Sequence, residues 1–133
     1  MPTLKLILVE GKNLPIADLK SSDPYVKMKT ERSEVKSTTI KQNHLHPVWN
    51  ETFTFEIDNP KMSSMELKVF DWDRLSADDE IGQYKIMSFS NFKKGVENDL
   101  WLNLTVPSSA KVSDPTQPSQ LHLKIVPVDF GKE

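Results

Sequence analysis

The chain has 133 residues, with 17 Lys+Arg, 19 Asp+Glu, three His and no Cys, a formal charge of −2 and a pI near 5.9. That length predicts one domain over residues 1–130, able to bury about two-thirds of its unfolded surface without a disulfide or structural zinc. The lack of Cys excludes thiol catalysis and iron–sulfur chemistry, the slight acidity argues against nucleic acid as a partner, and no run of about 18 apolar residues is present to span a membrane. Met1-Pro2-Thr3-Leu4 lacks the basic start of a signal peptide, so a cytoplasmic monomer is expected.

In chain order, apolar residues alternate with polar ones over short segments, and long helical periodicity is absent. Leu4, Leu6 and Leu8 share one face of a first strand, and Val26 and Met28 one face of a second over 25–29. Residues 34–41, rich in Val, Thr and Ile, predict a third, mostly polar strand. Trp49, Phe53, Phe55 and Ile57 alternate with Asn50, Thr52, Thr54 and Glu56 in a fourth, with the aromatics expected in the core. Met65, Leu67 and Val69, then 81–86, then Leu100, Leu102 and Leu104, and last Leu121, Leu123 and Ile125 complete the set. One helical turn is expected over 90–95. Residues 105–119, with three prolines, are expected to form a long polar loop within the domain, and 131–133 a tail. Eight short strands separated by Pro, Gly, Ser, Asn and Asp predict an all-β antiparallel sandwich.

Carboxylates concentrate in two of the predicted loops, Asp18 to Asp23 and Asp71 to Asp79. If both lie at one end of the sandwich, five acids converge, and like charges about 4 Å apart repel by ~1 kcal/mol in water and more at lower dielectric. Oxygen ligands without nearby His or Cys suit hard cations, and flexible loops suit Ca²⁺ over Mg²⁺. The offsets are not those of a helix–loop–helix calcium site. Spacing alone leaves two readings, solvated acidic turns or a calcium site.

Four segments then coincide with a known pattern: Ser22-Asp23-Pro24-Tyr25-Val26-Lys27, His46-Pro47-Val48-Trp49-Asn50-Glu51, Phe70-Asp71-Trp72-Asp73-Arg74 and Asp79-Glu80-Ile81-Gly82. Together, in this order and spacing from Leu4 to about Ile86, they resemble the C2 domain, the calcium-dependent membrane-targeting module of protein kinases C and synaptotagmins. The resemblance implies an eight-stranded antiparallel β-sandwich with two or three Ca²⁺ ions among its loops. Its ligands would be Asp18, Asp23, Asp71, Asp73 and Asp79, with the Trp72 carbonyl, Leu19 and Ser76 completing the set. Asp78 has no ligand role in the usual pattern. The segment from Asp18 to Asp23 is one residue shorter than is common and lacks the usual glycine, which bears on the reach of Asp18 and on the ion count. A start directly at Leu4 and an extra last strand imply the permuted, type II topology.

The resemblance also implies a mechanism. Five loop carboxylates carry −5, which two Ca²⁺ would bring to about −1 and three to about +1; with Lys20 and Arg74 beside them, the rim would then attract anionic headgroups. Leu19 and Leu75 at the loop tips are either membrane-contact residues or ordinary exposed apolar side chains. Tyr25, Lys27, Lys29 and Lys36 are either a phosphoinositide-binding face or a solvated strand, and Thr38 stands where the family's lysine cluster would continue. The expected function is calcium-dependent recruitment to anionic phospholipid, phosphatidylserine and phosphoinositides included, without catalysis. The alternative is a calcium-independent protein-interaction or scaffolding domain.

Overall fold

The computed structural model describes residues 2–16, 22–41 and 44–132. Among them the alternating segments form eight strands: β1 (Thr3–Lys12), β2 (Pro24–Thr30), β3 (Lys36–Ser37), β4 (Val48–Glu56), β5 (Met65–Asp71), β6 (Asp79–Ile86), β7 (Asn98–Asn103) and β8 (Gln120–Pro127). They make two four-stranded sheets, ordered β4-β1-β8-β7 and β3-β2-β5-β6, in which every pairing is antiparallel. This is the all-β antiparallel sandwich that the alternation predicts.

Leu4, Leu6 and Leu8 on β1 and Leu121, Leu123 and Ile125 on β8 are fully buried. They face Val26 and Met28 of β2 and Met65, Leu67 and Val69 of β5, with Phe55, Ile57 and Phe89 closing the core. A bulge at Val9 shifts the register of β1 against both neighbours, so the inward phase passes from Leu8 to Gly11. Trp49 is buried, and its indole N–H donates to the Thr39 carbonyl at 2.8 Å.

Two local expectations are corrected. The third strand is only Lys36–Ser37 instead of 34–41. Its ladder stops because the hydroxyl of buried Thr38 accepts the Val26 N–H at 2.9 Å and the Glu51 carboxylate accepts the Thr39 N–H at 3.1 Å. Side chains take the backbone groups a longer strand would have used. Residues 90–95 form turns with no helix. The Asn98 side chain binds both the N–H and the carbonyl of Lys93, and Lys93 bridges to Lys132, so helical hydrogen bonding loses its donors and acceptors.

The 105–119 segment is anchored by Asn13, a buried residue in the left-handed region at φ 53°. Its side-chain amide donates to the carbonyls of Asp114 and Gln117, both at 2.9 Å, and its carbonyl oxygen accepts the Asp114 N–H at 3.1 Å. His46 Nδ1 accepts the Asn13 N–H at 2.8 Å, so this histidine is a structural acceptor.

On the outer face of the first sheet, His122 stacks on Trp101 at 4.1 Å between ring centroids. Its ring nitrogens lie 2.6 Å from Asp99 and 3.2 Å from Glu10. Burial works against its charged form, but the hydrogen bonds to Asp99 and Glu10 outweigh that and raise its pKa above the usual value. A raised folded-state pKa gives stability that is fully present below the unfolded value of about 6.5 and is lost as pH rises through the folded value. The stability difference between wild type and His122→Gln, from urea unfolding, should therefore be larger at pH 5.5 than at pH 8.5. Phe55→Ala should lower stability by about 3–5 kcal/mol, a large share of the ~5–15 kcal/mol typical of a domain, with the loss read from the same unfolding curves.

Candidate functional site

Met65, Leu67, Val69 and Asp71 occupy one phase of β5, so the strand that carries three core residues also turns the Asp71 carboxylate inward. Asp71 is 2 % exposed. A carboxylate taken from water needs hydrogen bonds, and Asp71 Oδ1 accepts the Asp23 N–H at 2.7 Å. The Trp72 N–H donates back to the Asp23 carbonyl at 2.9 Å, next to the Pro24–Asp71 pairing of β2 and β5. Asp23 and Asp71, 48 residues apart in sequence, are thus clasped together at one end of the sandwich.

Asp79 opens β6 directly opposite Asp71. Like charges in directly opposed positions of a ladder repel each other, and this register sets Asp79 opposite Asp71 at the strand end. Just inside the pair, between Val69 and Phe70, the β5–β6 register slips by one residue.

Asp73 is organised within its own loop. Its Oδ1 accepts the Leu75 N–H at 2.9 Å and its Oδ2 the Ser76 hydroxyl at 2.7 Å. The Leu75 N–H, then the Ser76 hydroxyl, hold the Asp73 carboxyl below the usual carboxylate range, so it is ionised at neutral pH. Arg74, Leu75, Ser76 and Ala77 are exposed, and Leu75, at 93 %, stands almost wholly in solvent.

Asp78, to which the sequence reading gives no ligand role, has a structural one. One of its carboxylate oxygens accepts the Asp73 N–H at 2.8 Å, and the other accepts the hydroxyl of Tyr25. Burial, then the hydrogen bond and charge of Asp78, push the Tyr25 pKa up to about 12. The Tyr25 hydroxyl therefore braces loop 72–78 from below. Its ring stacks on Phe70 at 5.7 Å.

Lys27 and Lys29 project from β2 into a groove of about 230 Å³ that they line with Val35, Glu66, Lys68 and Phe70. The Lys27 ammonium lies 4.9 Å from the Phe70 ring centroid. Lys68 is a residue the sequence reading missed, although the phase of β5 sets it on the face opposite Leu67 and Val69. Lys36 goes elsewhere: its ammonium binds the Thr54 carbonyl and lies 5.2 Å from the Phe55 ring centroid.

Asp18, Leu19 and Lys20 lie outside the described residues. The chain flanking them is fixed, since the Ser22 hydroxyl donates to the Pro15 carbonyl and the Ile16 N–H to the Lys111 carbonyl, both at 2.7 Å. Among the described residues no three of His, Asp and Glu are gathered into a metal-binding group. Asp23, through its backbone, and Asp79, through strand register, adjoin Asp71 at one strand end, and Asp73 lies in the adjoining loop. The donors there are carboxylates, the Trp72 carbonyl and the Ser76 hydroxyl, an all-oxygen set that fits a hard divalent cation.

This architecture has known counterparts. A C2 domain of a plant extended synaptotagmin 1 superposes with a TM-score of 0.83 at 23% identity, covering 97% of this chain and 95% of that one. A calcium-bound structure of two C2 domains of extended synaptotagmin 2 gives a TM-score of 0.69 at 25% identity, over 94% of this chain and 41% of that one. Among curated proteins, an arrestin domain-containing protein B of Dictyostelium discoideum is 37% identical over 129 residues, which is 90% of this chain and 21% of the relative. The chain spans less than half the length of the curated relatives it is compared with. The family model for the C2 domain matches residues 2–104, and the chain belongs to the C2 domain family.

Proposed function

We propose that this C2 domain is a membrane-targeting module whose acidic loops bind Ca²⁺ and, through it, anionic phospholipid. The observation that carries the reading is the buried Asp71 carboxylate, clasped to Asp23 and opposed by Asp79, beneath a loop that exposes Arg74 and Leu75. Asp23, Asp71, Asp73 and Asp79 would hold the ion, with the Trp72 carbonyl and Ser76; Asp18 and Leu19 belong to the same reading from outside the described residues. A bound cation would supply positive charge at this end to attract headgroup phosphates, so calcium and lipid would raise each other's affinity.

The chain's own residues do the rest. Asp78 and Tyr25 hold the backbone of loop 72–78 in place before any ion arrives, which limits the ordering cost of binding. Arg74 adds positive charge at the rim, and Leu75 offers apolar surface to the acyl boundary; Lys20 and Leu19 belong to the same reading from outside the described residues. The groove of Lys27, Lys29 and Lys68 is a secondary anionic-lipid contact in this reading, to which Lys36 adds little because the Thr54 carbonyl holds its ammonium. The permuted topology belongs to the same reading, with β8 lying beside β1 as the extra last strand. A calcium-bound relative among the similar structures supports the choice of ion. The site is read as a binding site and not a catalytic one: no His lies in either acidic segment, and His46 is engaged by Asn13.

Replacing Asp71 and Asp73 together with Asn should abolish calcium-triggered co-sedimentation with phosphatidylserine vesicles up to about a millimolar free calcium. The fold should survive, because the amide that replaces the Asp71 carboxylate keeps a carbonyl oxygen for the Asp23 N–H. Unchanged calcium-triggered binding would remove these residues from the site. Binding indifferent to chelator would shift the weight to the lysine groove, and no binding in either condition would favour the protein-interaction alternative. Leu75→Ser should weaken vesicle binding by about tenfold, the equivalent of ~1.4 kcal/mol, while calcium titration without lipid stays at the wild-type value.

A further inference from the structure

A strand at the edge of a sheet keeps a row of backbone N–H and C=O groups with no ladder partner, and another strand can pair with them. The sandwich has four edge strands, β4 and β7 in one sheet and β3 and β6 in the other. Three of them are short or covered. On β4 the Lys36 ammonium holds the Thr54 carbonyl, the Ser33 hydroxyl oxygen accepts the Glu56 N–H at 3.1 Å, and the Thr30 hydroxyl donates to the Glu56 carbonyl at 2.7 Å. β3 has two residues. β6 is crossed at its middle by Thr105, which exchanges both backbone bonds with Gln83, at 2.8 and 2.9 Å.

β7 is the edge left open. The Leu104 N–H donates to the Ser119 carbonyl at 2.8 Å and continues the β7–β8 register, which sets the phase of the ladder. Ladder bonds alternate along a strand. Leu100 and Leu102 therefore turn their backbone groups to β8, and Asp99, Trp101 and Asn103 turn theirs outward, in phase with the Thr105 groups that reach Gln83. Among the described residues, none bonds to those three N–H groups or to those three carbonyls.

This edge is complementary to itself. A second copy turned about a twofold axis at Trp101 sets Trp101 against Trp101, Leu100 against Leu102, and Asp99 against Asn103. Each outward N–H of one copy then meets an outward carbonyl of the other. A slip of one residue would set outward groups against inward ones and lose the ladder. The polar side chains match in the same register. Asn103 Oδ1 accepts the Gln120 side-chain amide at 2.8 Å, which leaves the Asn103 amide hydrogens to donate. The Asp99 carboxylate opposite them has its Oδ1 2.6 Å from His122 Nε2, which leaves Oδ2 to accept. Trp101 is 44 % exposed and stacked on His122, so it offers a fixed aromatic surface at the twofold.

We infer that β7 is a dimerisation edge, at which two copies of this chain pair antiparallel and join their four-stranded sheets into one of eight strands. The pair departs from the monomer that the sequence alone suggests. It uses no residue of the acidic segments, so it stands independently of the calcium reading. Three backbone pairs with their side chains bury less than the ~1,200 Å² of a standard stable interface, so the dimer is weak, with a Kd on the order of 0.1 mM.

The test is sedimentation equilibrium in chelator over about 10 µM to about 1 mM protein, a range that brackets such a Kd. Wild type should pass from monomer to dimer across it. Asn103→Pro removes one outward N–H, which an edge strand tolerates on its open side. That variant should raise the Kd by about tenfold or more while its near-UV circular dichroism stays that of wild type. Amide hydrogen exchange needs no variant: raising the concentration should slow exchange at Asp99, Trp101 and Asn103 and leave Leu100 and Leu102 unchanged. If Asn103→Pro lost its fold, that exchange pattern would decide alone. A dimer that Asn103→Pro leaves intact, or one whose three outward amides exchange as in the monomer, would overturn the inference. So would wild type that stays monomeric throughout, an outcome that leaves the edge to an extended segment of another protein.

Discussion

The site depends on one buried carboxylate. Asp71 falls inward because it continues the alternation of Met65, Leu67 and Val69, and at the last position of β5 that phase leads to the end of the sandwich instead of its core. Asp23 meets it there with a backbone N–H, and the Trp72 N–H returns to the Asp23 carbonyl. The pairing of β2 with β5 and the start of loop 72–78 are thereby fixed together. Moving β5 by one residue would turn Asp71 to solvent and its core residues with it, so the hydrophobic pattern that builds the sheet also builds the acidic end.

Around this clasp, order is imposed from beneath. Tyr25, on β2, reaches Asp78, and Asp78 holds the backbone of Asp73, whose carboxylate in turn caps Leu75 and Ser76. Asp78 is thus a structural brace that lets its neighbours present their oxygens. The flanks of the first acidic loop are restrained in a comparable way, through Ser22 on Pro15, and through Ile16 on Lys111 of the long polar segment that Asn13 secures. Both acidic loops rise from hydrogen-bonded bases, which suits a site whose ligands come from well-separated parts of the chain.

The two ends of the molecule differ in charge for the same topological reason. Antiparallel strands send alternate connections to opposite poles. The connections rich in Asp gather at one, and at the other Lys61, Lys93, Lys94 and Lys132 stand among Glu31, Asp58, Glu97 and Asp129, so the acid excess lies at the first. A formal charge of −2 conceals this division. Net charge describes solubility and long-range steering, whereas a membrane responds to the charge within about a Debye length of its surface.

By itself the sequence determined the strand count, the core faces and the acidic segments, because side-chain alternation has a fixed period and Asp is poor in strands and good in turns. It also carried the family, through four motifs in order. It overextended the third strand and expected a helical turn at 90–95, because Thr38, Glu51 and Asn98 compete for backbone groups through contacts that local propensity does not contain. Only the tertiary structure decided that Asp78 is a brace, that Lys68 joins Lys27 and Lys29 while Lys36 turns to Thr54, and that four scattered lysines share a pole. These are facts of register and of which chain segments cross. They follow from packing distant residues against one another, and no local stretch of sequence encodes them.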